Sequence, residues 1–294
     1  MRIGFVGAGK VGCTLGKYMV EHNICVSGYY SRSRESARWA SEFTHTNCYE
    51  TLEGLALSSE TLFLTVPDGA IKEVWNDLKQ YALEGKCICH CSGAMSSAAF
   101  SGIDQMGAFG YSIHPLFAVH SRLQSYREIS QAYFTIEGAE KHVEFWKEFF
   151  EALGNPVCVI QPEGKILYHS AAVFVSNLVT GLFETGIELL QKCGFERESG
   201  EEALRTLFLN HCHSVATSGV VESLTGPVER ADLATVQKHL WALPGREREI
   251  YVRLSEVLVE IARQKHPKRN YEELSRFLRK SRESEQARER EEVS

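Results

Sequence analysis

No two of the nine cysteines stand in a CxxC pair, and no disulfide spacing is visible. Scattered, odd-numbered cysteines point to reduced thiols, so a cytoplasmic protein is expected. Two clusters invite a metal: Cys87, Cys89 and Cys91, which share one face of a strand and flank His90, and the run His211-Cys212-His213. Neither has zinc-ligand spacing. Buried thiols and hydrogen-bonded histidines are expected there instead, and no metal is assigned. Basic charge is also scarce, with a formal net charge of −6. Nucleic-acid and anionic-membrane partners favour a basic balance, so neither is expected. No apolar run reaches the roughly 18 residues of a membrane span. A strand starting at Arg2 leaves no room for a signal peptide. No internal repeat is visible.

What is present is an ordinary soluble composition, 44% hydrophobic and 24% charged, over 294 residues, enough for two domains. Short apolar strands are predicted at 2–6, 24–30, 61–66, 86–91, 108–113, 133–136 and 156–160. Helical patterns at 10–22, 35–43, 70–81 and 139–153 fall between them. Strands alternating with helices predict an α/β fold: a doubly wound, mostly parallel sheet covered on both faces. After Gln161-Pro162 the period changes. Apolar residues recur at helical spacing from Lys165 to Cys193, and further helices are expected at 201–218, 231–240 and 247–264. The expected organisation is an α/β domain over 1–161, an all-α domain over 162–278, and a charged tail over 279–294. That tail reads as a solvated helix end or as disordered.

Gly7-Ala8-Gly9-Lys10-Val11-Gly12 spells GxGxxG between the first strand and the first helix. In that context the glycines serve a tight turn, a close approach of backbone to pyrophosphate, and close helix–strand packing. The helix N-terminus offers free N–H groups to the phosphates. A Rossmann dinucleotide site is therefore expected; a glycine turn without ligand is the alternative. The second strand ends in Tyr30-Ser31-Arg32-Ser33-Arg34, with no acid before Glu35. NAD sites favour a carboxylate there. Ser31 and Arg32 suit a 2′-phosphate, which predicts NADP(H). Val66 and Pro67 end another strand, and Ser92 another. Ligands lie beyond such carboxyl ends, so these residues should flank the nicotinamide half.

A reductase also needs a proton donor and a group to polarise the bond being reduced. Lys165 and His169 stand four apart on one helical face, with Asn177 displaced by about 120° at about 100° per residue. Burial would lower the pKa of the lysine toward the working range of a proton donor. A first-turn surface lysine and a core histidine are the alternative. His114, before Pro115, ends a strand and faces the substrate or only shapes the turn. Leu224-Thr225-Gly226-Pro227 opens a later helix with Pro227 at an early position. Arg230 there suits a substrate carboxylate, with Asp232 orienting Arg230 or His239; a capped helix with an internal ion pair is the alternative.

The glycine motif, Ser92-Gly93, Ser112-Ile113-His114-Pro115-Leu116, Tyr168 through Asn177, and Leu224 through Asp232 together resemble the Rossmann-like proteins with a C-terminal domain of unknown function. The resemblance spans about residues 1–265. That family is similar in layout to pyrroline-5-carboxylate reductase, the 3-hydroxyacid dehydrogenases and ketopantoate reductase. It implies an NADP oxidoreductase, with some members acting on ketopantoate, and a homodimer through the α domain. The dehydrogenases and ketopantoate reductases place asparagine four residues after the lysine; here that position is His169. The resulting expectation is NADPH-dependent reduction of a small carbonyl or imine acid, on the CH-OH or CH-NH donor class. Lys165 or His169 would give the proton, Asn177 and His114 would hold the reacting atom, and Arg230 a carboxylate. The alternative is an NADP(H)-binding sensor without turnover.

Overall fold

The computed structural model describes residues 1–292, with side chains through 284. The chain divides into two compact units, Met1–Ser176 and Asn177–Ser294. The first begins β1 (Ile3–Val6), α1 (Lys10–Glu21), β2 (Val26–Tyr30), α2 (Arg34–Thr44), β3 (Asn47–Cys48), α3 (Leu52–Ser58) and β4 (Thr61–Leu64). It continues through α4 (Asp68–Leu78), β5 (Cys87–His90), β6 (Phe109–Leu116), β7 (Tyr133–Gly138), α5 (Val143–Ala152), β8 (Val157–Val159) and α6 (Lys165–Phe174).

The strands form one sheet in the order β3-β2-β1-β4-β5-β6-β7-β8. All neighbours are parallel except β6 and β7. Parallel strands need crossovers, and the helices of those crossovers cover both faces. The period of two then decides where each side chain goes. Leu62 and Leu64 of β4 join one core with Leu55, Ile71 and Trp75. Phe63 joins the opposite core with Phe5, Leu15, Met19 and Trp146. Cys87 and Cys89 fall in that same core, as their spacing requires. Among the described residues no three His, Cys, Asp or Glu side chains are placed to hold a metal.

Strand order reverses at β1 and β4, and the crevice for a ligand opens at their carboxyl ends. Gly7 follows β1 with φ +106°, a conformation that L side chains avoid. A Cβ there would stand 2.7 Å from Thr65 O, and one on Gly12 would stand 2.5 Å from Gly7 O. The first and third glycines therefore let β1, α1 and the β4 loop close on one another.

The pattern after Gln161 departs from expectation in two ways. The single helix expected over 165–193 is two: α6 stops at Phe174, and α7 (Asn177–Lys192) follows. The first unit also runs past Gln161 to Ser176, because Lys165 and Tyr168 are bonded to Ser92 and His114 of the sheet. The short β3 and α3 were not legible; α3 is capped by Thr51 Oγ1, which accepts from Gly54 N at 3.1 Å.

The second unit continues with α8 (Arg197–Ser223), α9 (Leu233–Ala242), α10 (Gly245–Lys265) and α11 (Glu272–Glu292). Its core joins Val236 and Leu240 of α9, Val252 and Val259 of α10, and Leu274 and Leu278 of α11. Helix α11 takes in most of the polar tail; residues 293–294 lie outside the described residues. Against expectation, an 18-residue window within Pro162–Lys192, the stretch that holds α6 and α7, reaches a mean hydropathy of 1.5, apolar enough for a membrane span.

Candidate active site

The glycine turn, the end of β2 and the end of β4 line one cleft of about 170 Å³. Gly7, Ala8 and Gly9 form its floor, Ser31 and Arg32 one wall, and Val66 and Pro67 the other. Gly7 N donates to Tyr30 O at 2.8 Å, and Thr65 Oγ1 donates to Gly7 O at 2.8 Å, so the turn is fixed from both sides. Lys10, Val11 and Gly12 form the first turn of α1 behind that floor. The close approaches at Gly7 and Gly12 fit a turn shaped for a phosphate, and among the described residues no acid lines the cleft. Arg34 is not in it: its guanidinium pairs with Glu50.

One residue beyond Pro67, Asp68 opens α4 and accepts from Ser92 Oγ at 2.6 Å. Ser92 therefore sits behind the β5 turn rather than on the cleft wall. Its hydroxyl also accepts from Met95 N at 3.0 Å. Its carbonyl accepts from Lys165 Nζ at 3.2 Å. Lys165 is only 1% exposed. Tyr168 lies one turn along α6, and its hydroxyl bonds His114 Nδ1 at 2.7 Å. His114 and His169 rings stand 6.3 Å apart at 87°. Gly93 fits between them: a Cβ on it would meet His169 Nδ1 at 2.5 Å and His114 Nε2 at 3.0 Å. His169 Nδ1 is buried and has no hydrogen-bond partner among the described residues. Lys165, His169 and His114, three of the expected catalytic residues, thus meet the Ser92-Gly93 turn beyond the carboxyl end of β5, Lys165 at Ser92 O and the two histidines at Gly93.

Burial pushes Lys165 down to about 8, partly opposed by Glu137, Cys91 and Asp68. Burial pushes His114 down to about 3, with Lys165 and His169 adding to the shift. His90, buried below the turn, is pushed down to about 4 by burial. Burial raises Tyr168 and pushes the Cys91 thiol up to about 12. At neutral pH the cluster therefore holds a neutral His114, a protonated Cys91, and a lysine that releases its proton only slightly above neutrality. This is an acid flanked by neutral hydrogen-bonding groups, the set a proton-coupled reduction requires.

The other expected residues lie in the second unit. Asn177 opens α7 and is exposed. Asp232 does not orient Arg230 or His239. It is the N-cap of α9, accepting from Thr235 N at 3.0 Å and Thr235 Oγ1 at 2.7 Å. His239 Nδ1 instead bonds Tyr251 Oη at 2.9 Å. Pro227 is not at a helix start either. The segment from Gly226 is an irregular turn ended by Ala231 at φ +58°, and α9 begins at Leu233. That turn is held by Glu229, which pairs with His266 and Arg269. Arg230 is exposed on it.

Sequence reasoning gave no role to four side chains of the first unit. Tyr168 was legible, since it follows Lys165 by three on a helix. Asp68 carried the mark of an acid at a helix start after proline. Glu137, 1% exposed, accepts from Ser97 N at 2.7 Å and Ser97 Oγ at 2.6 Å and fixes the loop after Ser92. Neither Glu137 nor Arg122, which lines the nucleotide cleft, carries any local signal.

Residues 1–115 match the model of a Rossmann-like domain, and residues 132–257 match that of a domain of unknown function, DUF2520. A Thermotoga maritima protein is similar over 89% of this chain and 98% of its own, at 27% identity and a TM-score of 0.70. A Bacteroides fragilis protein described as a candidate NADP oxidoreductase is 21% identical over 88% and 98%, with a TM-score of 0.68. A Plasmodium falciparum pyrroline carboxylate reductase with NADP bound is 15% identical over 90% and 98%, with a TM-score of 0.57. No curated protein matches the chain.

Proposed function

We propose that this chain, a Rossmann-like domain continued by DUF2520, is an NADPH-dependent reductase of a small carbonyl or imine acid. The observation that carries the reading is the cluster at the Ser92-Gly93 turn, with Lys165 on Ser92 O, His114 and His169 against Gly93 and Tyr168 on His114, joined to the nucleotide cleft through Pro67-Asp68-Ser92. Fold neighbours that include an NADP-bound reductase support it. NADPH, when bound, supplies the hydride. Lys165 holds the proton that the reduced oxygen or nitrogen takes up, His114 and Tyr168 form a fixed pair beside it, and His169 packs against Gly93 with a buried Nδ1 that has no partner among the described residues. In the second unit, Arg230 presents an exposed guanidinium suited to a carboxylate.

The test is a titration with NADPH and NADH followed by quenching of protein fluorescence, then a screen of NADPH oxidation. The screen starts with ketopantoate and extends to other 2-oxo acids and cyclic imino acids. Tight NADPH, weak NADH and turnover of one such acid are expected. Tight NADPH without turnover of any would favour a sensor, and no nucleotide binding would remove the reading altogether.

Helices of each unit carry uncovered apolar side chains. Leu167 on α6 is 76% exposed and Val175 is 80% exposed; Leu178 and Leu182 on α7 and Leu207 on α8 are exposed as well. Helix α7 also carries Glu184, ion-paired to Arg197, and Glu188, paired to Arg246. Such charged pairs are expensive in lipid. The proposed cover is therefore a second copy of this chain. Light scattering after gel filtration without detergent should give twice the monomer mass of 33.1 kDa. A monomer, or a protein soluble only in detergent, would overturn this.

A further inference from the structure

The nucleotide cleft contains a residue that no part of the glycine motif or the β2 end supplies. Arg122 comes from the 117–132 excursion between β6 and β7, yet it lines the same cleft as Gly9, Ser31, Arg32 and Ser36. Its position is built. Ser121 N donates to Ser125 Oγ at 3.1 Å and Leu123 N to Ser121 Oγ at 3.2 Å, and Ser125 is fully buried. The Arg122 guanidinium carbon lies 5.5 Å from the centroid of the Trp39 ring on α2. Trp39 stacks on Phe43 at 5.1 Å, and Phe43 meets Tyr126 of the excursion edge-on at 5.9 Å. The excursion is thereby pinned to α2, and the guanidinium is held against an aromatic face rather than free in solvent. Among the described residues no carboxylate pairs with it, and none lines the cleft.

Arg32 makes the contrast. Its side chain is 74% exposed, and its guanidinium lies 3.9 Å from Glu73. A solvated, already partnered arginine gains little from a further anion. A stacked arginine has less freedom to lose and presents its fork ready-made. Trp39 lies one helical turn beyond Ser36, and Arg122, Ser31 and Ser36 all line the cleft.

We infer that Arg122, not Arg32, is the main determinant of NADP over NAD, closing a 2′-phosphate subsite with Ser31 and Ser36. This rests on the NADPH reading above and names its specificity residue. The experiment measures Kd for NADPH and NADH by fluorescence quenching in the full-length protein and its Arg122→Ala, Arg122→Lys and Arg32→Ala variants. Arg122→Ala should raise Kd for NADPH by about 10–100-fold, the worth of a charge-assisted bidentate contact, and leave NADH within about twofold. Arg122→Lys should recover part of that loss, and Arg32→Ala should change NADPH by less than about threefold. Should Arg122→Ala fold poorly, Trp39→Phe keeps a ring against Phe43 but shrinks the face under Arg122, and should weaken NADPH more than NADH. Equal weakening of NADPH and NADH in the Arg122 variants would show a grip on the pyrophosphate and overturn the assignment. So would an unchanged NADPH affinity in a protein whose wild type binds it tightly. A wild type that binds neither nucleotide would instead defeat the reductase reading, and this inference with it.

Discussion

Lys165→Met is expected to lower turnover with NADPH by about 10²–10⁴-fold, the usual worth of a positioned general acid, with NADPH affinity nearly unchanged. Methionine matches the length of the lysine stem and leaves no buried charge, so the 1%-exposed site should accept it without unfolding. The pH profile separates chemistry from packing. Lys165 is pushed down to about 8 by burial, so the wild-type rate should fall as pH rises through about 8, where the proton leaves. In Lys165→Met the residual rate should lose that limb. Persistence of the limb would place the proton on another group of the cluster and end the assignment to Lys165. His169→Ala is the companion test. Its Nδ1 has no partner among the described residues, so its removal should cut turnover with little effect on NADPH binding or fold. Unchanged turnover would take His169 out of the site.

Mild acid should destabilise the first unit well above the range where carboxylates titrate. His90 is fully buried; its Nδ1 accepts from Ser92 N at 3.2 Å, and its Nε2 bonds Ser96 O at 3.1 Å. Its folded pKa is about 4, against an ordinary value of 6.5. Between those values the unfolded chain takes up a proton that the folded chain does not, so stability falls as pH falls through 6.5. At pH 5 this one residue accounts for about 2 kcal/mol. His114, at about 3 when folded, adds a loss of the same sign. Urea unfolding at pH 7 and pH 5, followed by tryptophan fluorescence, to which Trp39, Trp75 and Trp146 of the first unit contribute alongside Trp241, measures the difference. His90→Gln, which cannot titrate in this range, should lose about 2 kcal/mol less than wild type between the two pH values. Equal acid sensitivity in the two proteins would show that His90 is not the group responsible.

Legible in the sequence alone were the strands other than β3, the glycine turn and the helical face that Lys165 and His169 share. Those signals are local: alternation at a spacing of two in β4 and β5, the spacing of Gly7, Gly9 and Gly12, and the spacing of four between Lys165 and His169. Each follows from the geometry of one element, whatever the rest of the chain does. Asp232 shows where local spacing misleads, since an acid near Arg230 and His239 in sequence is spent on capping α9. The end of α6 shows the same limit, because apolar periodicity continues through the break between Phe174 and Asn177.

Tertiary structure alone decided that Ser92, Asp68 and Lys165 meet, that His114 and His169 close on Gly93, and that Arg122 reaches a cleft built by the N-terminal glycines. Strand order sets these meetings. The reversal between β1 and β4 brings the turns after residues 6, 30 and 64 to one crevice, and β5 and β6 carry their loops to the next. Which strands become neighbours depends on how the two cores pack against the helices, a property of the whole sheet that no window of sequence contains.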